Sequence, residues 1–402
     1  MVRAIGLNRL VWCGAVALSL AACGSMSSRN PVPIGFENEA TVVGMGHERI
    51  RFWGDELPPH ADALVKEKWA QVRASGRHMS KSGGRPVVNF LALSGGGSDG
   101  AFGAGVLAGW TAKGTRPEFD VVTGVSTGAL TAPFAFLGPR YDEALRQVFT
   151  ESTTKDIAIM RPVRGLLGGE SLASNAPLAK VVAHYVSDGF LQEVAAEHRK
   201  GRRLLIGTTN LDAQRPVVWD MGQIAVSGHP GSLELFRKVL LASAAIPAVF
   251  PPGFVEVAAN GSVYEEMHVD GGTTREVFLI PTQFMTKNID PTLSVKPIRR
   301  TYIIRNGRVD PEFKAVKPRT LSIAGRSIST LIKNQGIGDL YQLYMFTKRN
   351  GMDFNLIYIP GDFPDTSTQA FDPVYMGKLF EVGYQLVQSG NAWKKVPPDW
   401  AN

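Results

Sequence analysis

Two stretches in the first third of the chain follow one plan, and together they constrain the architecture more than any other feature. Pro86-Val-Val-Asn-Phe-Leu-Ala-Leu93 is a continuous apolar run that opens straight into Ser94-Gly-Gly-Gly-Ser-Asp-Gly100 and then into Ala101–Trp110, nearly all small or apolar. Phe119-Asp-Val-Val-Thr123 then leads into Gly124-Val-Ser-Thr-Gly128 and leaves through Ala129-Leu-Thr-Ala132. A short apolar run bounded by glycines reads as a buried strand, and the small-residue run after it as a helix pressed closely on a sheet. Strand, glycine turn and helix, repeated, call for parallel strands joined by crossovers, and such sheets are covered on both faces.

The rest of the chain keeps the alternation. Strands fit 203–209, 216–219, 263–269, 300–305 and 355–359; helices fit 61–75, 141–150, 178–186, 190–200, 233–242, 321–332, 339–348 and 375–388. The expected class is therefore α/β, with a mainly parallel central sheet and helices on both faces. The 402 residues, 44% of them hydrophobic and 20% charged, can bury a sizeable core. No repeat or interior boundary divides the chain, so residues 46–402 are expected to form a single catalytic domain. Residues 151–176 are turn-rich, carry the basic Arg161-Pro-Val-Arg164, and read as a flap.

The N-terminus speaks to location. Arg3 and Arg9 precede a mostly apolar run of 13 residues, Leu10–Ala22, followed by Cys23 and Gly-Ser-Met-Ser-Ser. Such a run is shorter than the ~20 residues that span a bilayer, and it matches the apolar region of a signal peptide. Leu20-Ala-Ala-Cys23 resembles a bacterial lipobox, which makes residues 1–22 a signal peptide and Cys23 the lipidated first residue of the mature chain; cleavage near Ala22 without lipidation is the alternative. Residues 23–45, rich in Ser, Asn, Pro and Gly, read as a lipidated flexible tether. Gly24 follows the cysteine where an aspartate would resemble an inner-membrane retention signal, so the periplasmic side of the outer membrane is the expected address. Cys13 and Cys23 are the only cysteines, which leaves the mature chain without a free thiol and excludes cysteine nucleophiles and thiolate metal sites. The formal charge of +7 suits work against anionic surfaces, but it is not gathered into the basic stripe that nucleic-acid binding needs.

Gly124-Val-Ser-Thr-Gly128 places Ser126 on a sharp strand-to-helix turn. A serine hydroxyl needs a base to take its proton, and an acyl-transfer intermediate needs donors for its oxyanion. The amides of the Gly95–Gly100 loop (Gly95, Gly96, Gly97, Ser98 and Gly100) can supply the donors, since that loop and the Ser126 turn should share one sheet edge. Residues 95–100 also satisfy the dinucleotide pattern G-x-G-x-x-G, with Asp120 as the ribose-binding acid. Against that, Asp120 opens the next strand instead of ending it, and an exported protein is a poor home for a nicotinamide cofactor.

For the base there are two possibilities. Only His184, His198, His229 and His268 follow Ser126, and none lies in the last 134 residues. A Ser-His-Asp esterase through His268 or His229 is one option. The other is Asp270, which ends a strand and precedes Gly271 and Gly272; desolvation would raise its basicity enough for it to act on the serine directly.

The ordered set of Gly-rich loop, Gly-x-Ser-x-Gly and Asp-Gly-Gly resembles the patatin-like phospholipase family, as does Ala242-Ser-Ala-Ala-Ile-Pro-Ala-Val-Phe-Pro-Pro252. The resemblance is best over residues 86–275. It implies a three-layer patatin-like fold, a Ser126–Asp270 dyad without histidine, the Gly95–Gly100 loop as oxyanion site, and hydrolysis of lipid acyl esters. It implies no metal and no cofactor, and a membrane lipid as substrate. The family commonly has Arg or Lys before the last glycine of its loop, where this chain has Asp99. A second class of function, a non-catalytic lipoprotein binding lipid or a partner on the same fold, has Asp99 as its support.

Overall fold

The computed structural model describes residues 29–45, 49–58, 61–77, 80–161, 169–280, 297–364 and 366–400. The expected signal peptide, Cys23 and part of the expected flap lie outside the described residues.

Five strands form the parallel centre of the sheet: β1 (Arg85–Leu93), β2 (Val121–Val125), β3 (Arg203–Asn210), and, from the C-terminal third, β4 (Ile298–Arg305) and β5 (Asp353–Tyr358). Their order across the sheet is β3-β2-β1-β4-β5. Antiparallel strands extend it beyond β3: Arg215–Asp220, Gly253–Ala259 and Ser262–Asp270. Alternate residues of each central strand point to opposite faces and feed two cores. Leu91, Leu93, Val122, Leu204 and Ile206 face one; Phe90, Ala92, Val121, Leu205 and Ile303 face the other. The first face is covered by α1 (Gly100–Ala112), α2 (Thr127–Leu137), α3 (Asp142–Glu151), α4 (Ala176–Tyr185), α5 (Ser232–Ser243) and α6 (Pro373–Gln388); the second by Ala61–Ala74 and the long helix Thr320–Arg349. The three-layer α/β expectation holds.

The small residues of α1 have a packing cause. A Cβ on Gly105 would stand 1.9 Å from the carbonyl oxygen of Phe380, so α1 and α6 cross backbone to backbone.

Three expectations need correction. The two helices expected at 321–332 and 339–348 are one, because Gly336 and Gly338 do not break it; at Gly336 the absent side chain makes room for Arg305 and Glu276. The tether is partly ordered: Asn30 bonds to the strand of residues 262–270, and Thr41–Val42 pairs with Val257–Ala258. The strand Gly253–Ala259 was not among those expected; it forms a hairpin with Ser262–Asp270.

Candidate active site

The meeting of Ser126 and Asp270 follows from strand register. β2 runs along one edge of β3 and ends with Val125 opposite Gly207. The antiparallel strand Ser262–Asp270 uses the same edge further on and ends with Asp270 opposite Thr208. The two strands thus arrive end to end at neighbouring residues of β3, and the residue after β2 faces the last residue of the other. Ser126 Oγ donates to Asp270 Oδ2 at 2.6 Å.

Ser126 has φ 54° and ψ −124°, a region that L-residues occupy only under constraint, at roughly 1–3 kcal/mol. Its neighbours show what holds it there. A Cβ on Gly128 would lie 2.4 Å from the carbonyl oxygen of Leu93, and one on Gly124 2.4 Å from that of Gly128. The glycines of the motif therefore serve close approach of α2 to β1 and β2. The Ser126 amide is also tied down: it donates to Ser243 Oγ at 3.0 Å, and that hydroxyl donates to the Gly207 carbonyl at 2.6 Å. Ser243, inside the Ala242–Pro252 stretch, was not singled out from sequence.

Asp270 is 3% exposed. Burial pushes its carboxyl up to about 6, against the opposing pull of the Ser126 hydroxyl and the Gly272 amide, which donates to Oδ1 at 2.8 Å. Glu276 is a second buried carboxyl beside it, pushed up to about 8 chiefly by burial, while Arg305 draws it back down and Asp270 and Asp339 push it further up. Its oxygens lie within 3.1 Å of where a Cβ on Gly95 would stand. Nothing in the sequence set Glu276 apart from other glutamates.

The glycine loop sits on the same sheet edge as Ser126. Not all of its amides face the cleft: that of Gly95 donates to the Glu276 carbonyl, and that of Gly100 to Gly97 and Ser98. The amides of Gly96, Gly97 and Ser98 have no acceptor among the described residues, which narrows the donor set to these three. Gly96 (φ 153°) fits only as glycine, since a Cβ would lie 2.0 Å from the Asn306 carbonyl oxygen. Asp99 turns away, with Oδ1 accepting from the Tyr375 hydroxyl at 2.8 Å.

The histidine options do not reach the serine. His268 is fully buried, with Nδ1 at 3.0 Å from Thr208 Oγ1 and Nε2 at 3.0 Å from Glu266 Oε2. His229 Nδ1 accepts from the Gly231 amide. Asp120 sits at the opposite end of its strand, accepting from the Asn89 amide and pairing with Arg77, so it is no ribose ligand. Among the described residues no group of three His, Cys, Asp or Glu is placed to hold a metal.

On its other side Ser126 opens into a cleft of about 80 Å³ walled by Leu130, Phe134, Val182, Leu240, Ile246 and Met376, with Gly97 at the rim. Its lining is almost wholly apolar.

Residues 91–281 match the family described as patatin-like phospholipase. This segment is a patatin-like phospholipase domain. The family is one of lipid-hydrolysing enzymes, which supports a lipid hydrolase. Among solved structures, VipD from Legionella pneumophila is 12% identical with a TM-score of 0.37, covering 78% of this chain and 70% of that one. Human GIVD cytosolic phospholipase A2 is 11% identical with a TM-score of 0.36, covering 77% and 55%. ExoU in complex with SpcU from Pseudomonas aeruginosa is 14% identical with a TM-score of 0.28, covering 77% and 54%. This chain thus spans about half the length of the last two chains. No curated protein sequence matches.

Proposed function

We propose that this patatin-like domain is a serine acyl hydrolase acting on lipid esters through Ser126 and Asp270. The observation that carries the reading is the 2.6 Å hydrogen bond between a strained serine and a buried carboxylate of raised pKa. Ser126 Oγ attacks the ester carbonyl as its proton passes to Asp270; the carbonyl π electrons become the oxyanion, which the Gly96, Gly97 and Ser98 amides can meet. Collapse breaks the bond to the leaving alcohol, which takes the proton from Asp270. Water then attacks the acyl-serine with Asp270 again accepting the proton; collapse breaks the bond to Ser126 Oγ, which takes that proton back from Asp270, and free acid leaves. The apolar cleft beside Ser126 suits an acyl chain, although ~80 Å³ is well below the ~300 Å³ of a pocket that encloses a ligand, so a long chain must part the cleft walls. Lipidation of Cys23 in the outer membrane would hold the domain beside its substrate.

The test is labelling by an organophosphonate together with ester hydrolysis. Label on Ser126, and a fall of roughly 10³–10⁴-fold in kcat for both Ser126→Ala and Asp270→Asn with circular dichroism unchanged, are the expected results. Full activity in Asp270→Asn would overturn the dyad. An unlabelled Ser126 would instead favour a binding protein.

A further inference from the structure

Beyond the reacting pair, one part of the molecule is built around the site without belonging to it. After β4 and the buried Val309, residues 310–331 run largely exposed and return as the first half of the helix Thr320–Arg349. Both roots of this excursion grip the site. At its start the Asn306 amide donates to Ser94 Oγ at 2.8 Å, and Asn306 Oδ1 accepts from the Gly103 amide, so Asn306 fixes the glycine loop. At its return Ile332 lies 3.7 Å from where a Cβ on Gly272 would stand, and Gly336 abuts Glu276 and Arg305. It leaves from the C-terminal end of β4, the sheet edge that carries Ser126. From Thr320 to Ile332 the helix extends about 18 Å.

The surface of this projection is unlike that of a solvated loop. Phe313 is 99% exposed, Leu331 70%, Ile323 51% and Val316 42%. Ile323, Ser327 and Leu331 follow one another at four-residue spacing and share a helix face. From residue 313 to 338 there are five Lys or Arg and no Asp or Glu. Arg326 and Lys333 are spent inside the projection, on the carbonyls of Glu312 and Asp310, and Arg308 and Lys333 lie 3.6 Å from the Glu312 carboxylate. Lys314, Lys317 and Arg319 stand exposed around Phe313 and Val316, and no described carboxylate pairs with them. An exposed aromatic flanked by unpaired cations would be a poor choice for water alone; at the boundary of an anionic bilayer, rings and alkyl groups enter the acyl edge while the cations meet phosphates.

We infer that residues 313–331 dock the domain on an anionic lipid surface and thereby present the Ser126 cleft to it. This rests on the lipid-hydrolase reading of the site, and it goes further in naming the surface and the segment. The partner is the bilayer face itself, not a second protein, because exposed rings and alkyl groups stand among exposed cations with no described carboxylate partner, the pairing an anionic bilayer boundary accepts.

The experiment uses the full chain carrying Cys23→Ser, which removes any lipid anchor, and Ser126→Ala where vesicles must stay intact. Partition onto vesicles of phosphatidylcholine with phosphatidylglycerol is measured by sedimentation beside pure phosphatidylcholine. Each basic residue at such a surface is worth about a fivefold change, so Lys314→Ser, Lys317→Ser and Arg319→Ser together should lower partition onto the anionic vesicles by about 100-fold. Phe313→Ser should lower it further at high salt, where the charges are screened. With Ser126 restored, hydrolysis of a soluble short-chain ester by the triple variant should equal that of the parent while hydrolysis of vesicle lipid falls. Unchanged partition of the triple variant onto anionic vesicles, or binding of it to a protein with partition unaltered, would overturn the inference. A parent that leaves the soluble ester untouched would count against the hydrolase reading alone, since partition is read on the Ser126→Ala chain.

Discussion

Residues 94–128 and residues 270–276 meet through the Ser126–Asp270 and Gly95–Glu276 hydrogen bonds, yet they are held by different means. On the serine side the geometry is set by side chains that are missing: Gly96 against Asn306, Gly128 against Leu93, Gly124 against Gly128. On the aspartate side the distinguishing feature is two carboxyls that water barely reaches, Asp270 and Glu276, buried together. The difference shows that the two members of the proposed pair, Ser126 and Asp270, can carry separate kinds of strain. One is steric and insensitive to pH; the other is electrostatic and changes whenever a proton is gained or lost.

That contrast can be broken in three places. The largest effect belongs to Gly96→Ala, whose Cβ would overlap the Asn306 carbonyl oxygen at 2.0 Å. It should cost more than about 3 kcal/mol, read as a fall in the urea midpoint that is the same at pH 5 and pH 8. Gly97→Ala, one residue on, meets nothing within 4 Å and carries only the penalty of φ 58°. It should cost about 1 kcal/mol.

Next comes Asp270→Asn. In the window from 3.8 to about 6 the folded chain holds the Asp270 proton and the unfolded chain has released it, so stability falls as pH rises through that window and stays lower above it. Replacement by Asn removes this loss. The variant should gain on the order of 1–3 kcal/mol at pH 7.5 and little at pH 4, measured by thermal unfolding. The same shift places the rise of kcat/KM of the parent near pH 6.

The smallest effect concerns Glu276. Neutral below about 8, it acquires charge above that value beside Gly95 and Asp270. A new anion there opposes the oxyanion, so the pH profile of the parent should fall on its alkaline side near pH 8. Glu276→Gln should keep the acid limb and lose the alkaline one. An alkaline limb that survives in the variant would assign it to another group.

The serine side was legible in the sequence because glycine runs and buried strands leave a local signature. Pro86–Leu93 and Val121–Val125 pair in parallel as their composition demands, and the turns after them share an edge. Asp270 was reachable because glycines follow it. Glu276, Asn306 and Ser243 were not, since their roles come from contacts with residues distant in the chain: Asn306 meets Ser94 across 212 positions, and Ser243 meets the Ser126 amide across 117. The unity of the helix Thr320–Arg349 was hidden for a related reason. Gly336 looks like an interruption until Arg305 and Glu276 are seen to fill the space it leaves. His268 drew notice for lying two residues before Asp270, but Thr208 and Glu266 already occupy its ring nitrogens.

The end-to-end arrival of two strands on β3 bears on when the molecule becomes reactive. Ser126 and Asp270 are 144 residues apart, and their contact is closed by a strand that leaves the ribosome well after the serine turn has been synthesised. A chain grown only as far as Ala259 has Ser126, the glycine loop and most of the first core, but not Asp270. A slip of one residue along β3 would turn the carboxylate to the opposite face of the sheet. The Ser126–Asp270 contact thus waits on a strand 144 positions away, and it closes only when the sheet is zipped to Thr208 in that one register.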